Sequence, residues 1–505
     1  MSPTTSTTRF VRHSVLLNGL FLAEGAIMFA LDIALAAALG LSAQSDILYA
    51  AWSLPVTIGR GMFQSLTNSF MGLFAEADDQ ATAYNQAITV ICVVAFAAAA
   101  LLSLSARWWY PLSVPGATVE TKLAGQPLAA VLAWLIFLLA LAETLRAIYY
   151  RSGRLVVPTA GRIAGTVATI VIVLLAGAQQ DLWLVVWGLI GGAVVEVLVG
   201  FVGLAWVPDF RLRPIWPERV VLTSMARTVG MPLTGQGVRV LSSITERALA
   251  SLLGPGVLTA VTFAARLIAI VERFVFRGFQ LATIQNYTAG TKQNYNSRLR
   301  IVALLAVPMS VGLALLAPQL VNAVFARGRF SAEDAITVAQ VLQTYAPAIV
   351  GLALISIPLG LAFARNVPRV VMLFFAINAV ALIVSEYLLI RLGVGLRSFG
   401  IANSIAVFVG LLWLSRTAAK EHKLWTRADS AQLAVIAAAA AAGTFAVRSL
   451  AGRLPAGTLV TWLTLLAGGA ACVVSTVIAA QLLRLEEVGY ITRLVRRPHS
   501  QSHSG

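Results

Sequence analysis

A chain of 505 residues that is 59% hydrophobic and only 11% charged, with a mean hydropathy of +0.84, lies outside the composition of soluble globular proteins, of which about a quarter is charged. It reads as an all-α polytopic membrane protein, and its continuous apolar runs exclude a β-barrel of short alternating strands. The net charge of +16 is distributed by membrane side, which argues against nucleic acid as a partner.

Apolar windows of about 20 residues predict about fourteen spans, at 14–40, 46–76, 84–106, 127–150, 155–177, 181–206, 220–252, 256–288, 299–325, 333–364, 367–391, 397–415, 429–450 and 457–483. The N-terminal segment is polar and then basic at Arg9 and Arg12. It leads into a span too long for a signal-peptide core, so the first helix is expected to stay in the mature protein. Glu24 and Asp32 lie eight residues apart in that span, a little over two turns, and so on similar faces. They can pair with an arginine, hold a cation or exchange a proton.

The second span carries Pro55, Gly59, Arg60 and Gly61 at its centre, where a lipid-facing helix carries none of them. Arginine at membrane depth costs a few kcal/mol or more, so this face is expected to line a polar cavity. The forked donors of Arg60 suit phosphate oxygens; the competing role is a salt bridge to Asp32 or Glu24. Asp46, at the outer mouth of the span, is placed for helix capping or ion gating.

Further along, Trp108, Trp109 and Tyr110 in the longest outside connection resemble an interfacial anchor. Glu143 with Arg146, and Arg162 with Glu196, read as structural ion pairs or interface residues, and Glu386 reads as a residue of the same kind. The proline-broken, basic stretch at 206–219 reads as a cytoplasmic linker on anionic headgroups. In the seventh span Arg239 and Glu246 share a face, followed by Arg247. In the eighth, Arg266, Arg273 and Arg277 are seven and four residues apart and stack along one side. Basic residues crowd the segments near 151–154, 211–219, 292–300, 365–369, 416–427 and 484–497, which places both termini in the cytoplasm. Cys92 and Cys472 fall within spans and the four histidines in loops or ends. The sequence therefore offers neither a disulfide framework, a metal site nor a histidine catalytic centre. No GxxxxGK loop for direct ATP drive occurs.

The chain also resembles itself. Asp46-Ile-Leu-Tyr-Ala opens the second span and Gly256-Val-Leu-Thr-Ala the eighth; Arg154-Leu-Val-Val-Pro158 leads into the fifth and Arg365-Asn-Val-Pro368 into the eleventh; Gly188-Leu-Ile-Gly-Gly-Ala starts the sixth and Gly400-Ile-Ala-Asn-Ser-Ile the twelfth. Each match joins a span to the span six further on, as in parallel repeats about an axis along the membrane normal. The expected organisation is an N-terminal lobe at 1–206, a linker at 207–219, a C-terminal lobe at 220–420, and a final helix pair with a basic tail at 421–505.

The stretch from Val324-Phe-Ala-Arg-Gly-Arg-Phe to Tyr345, continuing through Leu361-Ala-Phe-Ala-Arg-Asn-Val-Pro368, resembles the MurJ/MviN family of lipid II flippases, within the multidrug/oligosaccharidyl-lipid/polysaccharide exporter superfamily. Asp46 with Ala51-Trp-Ser-Leu-Pro55 and Arg60 is similar to the family's second helix, and Phe263-Ala-Ala-Arg266 to its eighth. The similarity runs from about 14 to 420, and the final helix pair agrees in number. The resemblance implies a fourteen-helix flippase of the bacterial cytoplasmic membrane. It would move an undecaprenyl-pyrophosphate-linked glycan to the outer leaflet by alternating access, driven by membrane potential or a coupling ion, without another cofactor. Arg60, Arg266, Arg273 and Arg239 would line the cavity, with Glu24, Asp32 and Asp46 as ion or gating residues. Membrane lipids and cell-wall synthesis proteins are the other expected partners. Gly25, Leu31 and Gly59 stand where the family carries arginines, and Gln64 where it carries a glutamate. The alternatives are a small-molecule exporter of the multidrug type and a non-transporting scaffold of an envelope-synthesis complex; a membrane enzyme would need a carboxylate or metal motif that is not visible.

Overall fold

The computed structural model describes residues 3–63, 74, 79–154, 156–179, 181–207, 211–272, 279–280, 283, 295–365, 367–418, 427–455 and 457–485. Among them the secondary structure is helical, in the order α1 (Pro3–Leu39), α2 (Ala43–Val56) continued by a π-helical turn (Thr57–Met62), α3 (Gln80–Leu104), α4 (Ala106–Ser113), α5 (Val119–Leu132), α6 (Leu135–Arg151), α7 (Val156–Gln179), α8 (Leu182–Leu204), α9 (Arg219–Ser251), α10 (Val257–Val271), α11 (Tyr295–Phe325), α12 (Ala332–Ala364), α13 (Pro368–Arg391), α14 (Ser398–Ala418), α15 (Arg427–Ala451) and α16 (Thr458–Leu482).

Eleven segments among the described residues are long and apolar enough to cross a membrane, with α5 and α6 counting as one segment from Val119 to Arg151. The other three long helical segments are α2 with its π turn, α9 and α10. They are the second, seventh and eighth predicted spans, the ones that carry Pro55, Gly59, Arg60, Arg239 and Arg266. The count of about fourteen holds; α10 is apolar but short, and these three helices carry the residues expected to face something other than lipid.

One span starts earlier than its hydropathy suggests. Thr118 accepts a hydrogen bond from Thr121 N at 3.2 Å, and Glu120 sits in the first turn of α5. Capping and dipole complementarity thus start the helix at Val119, in polar sequence, rather than near 127. The aromatic triplet before it divides its work. Trp108 is 58% exposed with the Arg107 guanidinium 4.1 Å over its ring, as an interfacial anchor should be. Trp109 Nε1 donates to Leu102 O at 2.9 Å. Tyr110 is fully buried against Gly125, where an added Cβ would collide with the phenol ring. At the opposite end of α3, Asp79 caps the helix by accepting from Thr82 Oγ1 (2.5 Å), Thr82 N (3.2 Å) and Ala81 N (3.0 Å). The Thr82 side chain foremost, then its backbone, holds this exposed carboxyl below the usual carboxylate range.

The chain divides into two compact units, Met1–Thr259 with Arg327–Ser331, and Ala260–Ala326 with Ala332–Gly505. In the first, α3 packs on α6, α6 on α8, and α7 on both α1 and α8; in the second, α11 packs on α12, α12 on α14, and α13 on α14. Three of these pairings, α3 on α6, α6 on α8 and α7 on α8, have counterparts six spans on in α11 on α12, α12 on α14 and α13 on α14. In the second unit α15 and α16 pack against α11. Arg448 Nη1 donates to Leu315 O at 2.9 Å, next to the Ala314 carbonyl that Pro318 leaves without an amide donor.

The tightest helix contact is α7 on α8. Gly161, Gly165 and Thr169 recur every four residues on one helix, and Gly188, Gly192 and Glu196 on the other. A Cβ on Gly165 would lie 2.2 Å from Gly192 O, and one on Gly192 would lie 2.0 Å from Thr169 Oγ1. In lipid, where no hydrophobic effect drives helices together, such close backbone approach supplies the association energy. Gly192→Leu is therefore expected to overpack this seam and destabilise the first unit by about 1–3 kcal/mol. Thermal unfolding in detergent would check it, with Gly191→Leu on the same helix as the control, since a Cβ at Gly191 meets nothing within 4 Å.

Candidate functional site

The α7–α8 seam brings Arg162 and Glu196 together inside the first unit, and α1, α6 and the π turn supply the rest of a buried charge cluster. Arg162 Nε lies 3.2 Å from Glu196 Oε1, and its two terminal nitrogens reach Glu24 and Glu143. Arg146, one turn after Glu143 on α6, lies 3.7 Å from Glu143 Oε2, 3.4 Å from Glu24 Oε2 and 3.9 Å from Glu196 Oε1. Arg60 completes the group, with Nη2 2.7 Å from Glu196 Oε2. Three carboxylates and three guanidiniums thus neutralise one another. Charges taken this far out of water persist only when each is paired and hydrogen-bonded.

Arg60 differs from the other members. Its side chain is 21% exposed, against 9% or less for the rest. Its Nη1 is buried and meets no hydrogen-bond partner among the described residues. It is carried by the π turn, a local widening of the helix that often marks functional sites, just after Pro55, which removes one amide donor from the helix. Thr57 Oγ1 donates to Ser53 O at 2.7 Å across this irregular stretch. Gly59, by contrast, faces α6: an added Cβ would lie 3.1–3.2 Å from Leu139 Cβ, Ile136 Cα and Leu135 O. A second arginine has no room beside Arg60, which gives the departure at this position a steric reason.

Asp46 acts as a cap, though not for its own helix. α2 is capped by Ser42 and Ser45. The Asp46 carboxylate instead accepts from Gly256 N (2.6 Å), Thr259 N (2.9 Å) and Thr259 Oγ1 (2.6 Å), so it caps the start of α10. Gly256 has φ +82, which favours glycine in this turn. The two segments matched by the 210-residue offset therefore meet at their helix starts. Asp46→Ala would leave the α10 amides without their acceptor, an expected cost of about 0.5–2 kcal/mol to be read as a lower unfolding temperature, with Asp46→Asn retaining part of the cap. An unfolding temperature unchanged in Asp46→Ala would remove the cap from the account.

Of the other candidates, Glu24 and Asp32 are buried in α1. Arg266 is half-buried in α10 of the second unit, and Glu386 is fully buried in α13. Arg239 lies in α9 with its side chain outside the described residues, and Arg273, Arg277 and Gln64 fall outside them altogether. The two ion pairs expected within α6 and between α7 and α8 are both present, but as parts of one cluster. Sequence reasoning missed Glu196 as the partner of Arg60. The four-residue run Gly188, Gly192, Glu196 was the available signal, because it places that carboxylate on the seam of closest approach.

The family model described as lipid II flippase MurJ matches residues 35–468. The chain belongs to the MurJ family. The match begins after Glu24 and Asp32 and extends through α15 into α16, so the final helix pair resembles the family in sequence as well as in number. Two curated relatives are a lipid II flippase MurJ of Burkholderia cenocepacia, 24% identical over 372 residues (68% of this chain, 72% of the relative), and a probable lipid II flippase MurJ of Thermotoga maritima, 23% identical over 394 residues (76% and 80%). Among solved structures, lipid II flippase MurJ in an inward closed conformation is similar with a TM-score of 0.78 at 15% identity, covering 93% of this chain and 99% of that one. An inward-facing multidrug MATE transporter gives 0.66 at 14% identity, covering 78% and 95%. The fold is thus the one these transporters share, and membership of a flippase family makes this MurJ-family chain a transporter and not an enzyme.

Proposed function

We propose that this MurJ-family protein moves lipid II, an undecaprenyl-pyrophosphate-linked glycan, from the cytoplasmic to the outer leaflet of the bacterial cytoplasmic membrane by alternating access, with both termini in the cytoplasm. The observation that carries the reading is Arg60: a guanidinium in the second helix, held by Glu196 through one nitrogen and with no partner for Nη1 among the described residues. A pyrophosphate needs such a donor, and a guanidinium keeps its charge at any working pH. Arg266, and Arg273 and Arg239 beyond it, would extend the cationic lining. Membrane potential or a coupling ion would supply the drive, with lipid-linked oligosaccharide and membrane lipids as partners and cell-wall synthesis proteins as neighbours. A multidrug-type exporter, the second reading, is favoured by the MATE fold likeness; an arginine-bearing helix suits an anionic cargo better.

The test is translocation of labelled lipid II by purified protein in liposomes, read as accessibility to an impermeant reagent. Lipid II crossing faster than in empty vesicles is the expected result. Transport of small cations with no movement of lipid II would select the exporter.

A further inference from the structure

We propose that Glu196 is a proton-accepting counter-ion to Arg60: it holds the guanidinium while the site is empty and takes up one proton when Arg60 turns to an anionic cargo. The cargo half rests on the flippase reading above; the proton half rests on the cluster alone.

Without Arg60 the buried cluster holds Glu24, Glu143 and Glu196 against Arg146 and Arg162, one net negative charge in a site where the other members are almost wholly shielded from solvent. An uncompensated buried charge costs several kcal/mol, and a buried carboxylate avoids that cost by protonating. The carboxylate that loses its partner is identified by the contacts. Glu24 keeps Arg162 and Arg146, and Glu143 keeps the same two. Glu196 keeps Arg162 at 3.2 Å and Arg146 at 3.9 Å, both on Oε1, but its Oε2 loses the 2.7 Å contact with Arg60. Arg60 is also the most exposed member of the cluster, at 21% of its side chain, so the oxygen it vacates lies on the most accessible side of the group. The proton is taken up from the buffered bulk solution, the salt link breaks, and the guanidinium's new partner is the cargo phosphate; no other group of the cluster changes charge.

The charged groups facing Glu196 are Glu24 on α1, Arg60 on the π turn, Glu143 and Arg146 on α6 and Arg162 on α7. Tyr150 at the end of α6 joins through Arg146, and α5 carries its ionisable groups, Glu120 and Lys122, at its outer end, where Lys122 Nζ donates to Pro115 O.

The experiment has two arms on purified full-length protein. In the first, which needs no cargo, the carbonyl-stretch infrared band of a protonated carboxylic acid is sought in wild type, R60Q and R60Q/E196Q. The expected result is a band in R60Q at neutral pH, absent from wild type and from the double variant; no such band in folded R60Q overturns the proposal. Should R60Q fail to fold, recovery of folding in the charge-balanced R60Q/E196Q is expected, and continued unfolding overturns it. In the second arm, undecaprenyl pyrophosphate in detergent is the probe. Wild type should take up close to one proton per molecule bound and bind up to about tenfold tighter per unit fall in pH, whereas E196Q should bind with no proton uptake and a flat pH profile. Uptake unchanged in E196Q overturns the proposal. A band in R60Q together with no binding of undecaprenyl pyrophosphate or lipid II would sink the flippase reading and leave the proton site standing.

Discussion

Arg162→Leu is expected to be the most damaging single substitution in the first unit, costing about 3–5 kcal/mol. Arg162 touches all three carboxylates of the cluster. Its removal leaves Glu24, Glu143 and Glu196 with Arg146 and Arg60, and breaks the bridge between α1, α6 and α8 at one stroke. The cost arises less from the lost attraction than from the stranded charge, since a buried ion pair replaced as a whole by apolar groups is often tolerated. That distinction gives the control. Arg162→Leu combined with Glu143→Leu removes one charge of each sign and should recover a large part of the stability lost in Arg162→Leu. Unfolding temperature in detergent, with the yield of folded protein, is the measurement. Equal damage in the single and double variants would mean that Arg162 acts through its shape and not its charge.

The positions of the helices were legible because membrane spans are written in composition: twenty apolar residues in a row have few alternatives. Ends were less so wherever capping outweighed hydropathy, as at Thr118 and Val119. The charged residues that matter were each visible as anomalies, since Glu24, Arg60, Arg146, Arg162 and Glu196 all stand in apolar runs. What the sequence withheld was which of them meet. Arg60 and Glu196 are 136 residues apart, Arg162 and Glu24 are 138, and no local periodicity links positions on four helices and a π turn. The same holds for Asp46, whose place in the first turn of α2 suggested a local cap, while its carboxylate serves a turn 210 residues later. Tyr110 was grouped with two tryptophans because the triplet is interfacial in type; only the glycine at 125, which leaves room for its ring, places it inside.

Arg60→Ala is expected to weaken binding of lipid II by about 10- to 100-fold, the loss of one charge-assisted contact worth about 1.5–3 kcal/mol. The single variant changes two things at once, because it also strips Glu196 of a partner, so its effect on binding cannot be separated from damage to the cluster. Arg60→Ala with Glu196→Gln keeps the buried charge balanced, and a binding loss that persists in this pair belongs to the cargo. Arg60→Lys separates charge from geometry: it restores the positive charge but not the planar fork, so if the guanidinium spans Glu196 and phosphate together, lysine should recover stability and leave most of the binding defect in place. Binding equal to wild type in the balanced pair would reduce Arg60 to a structural ion-pair member, and the cationic lining would then have to be sought at Arg266 and the arginines near it.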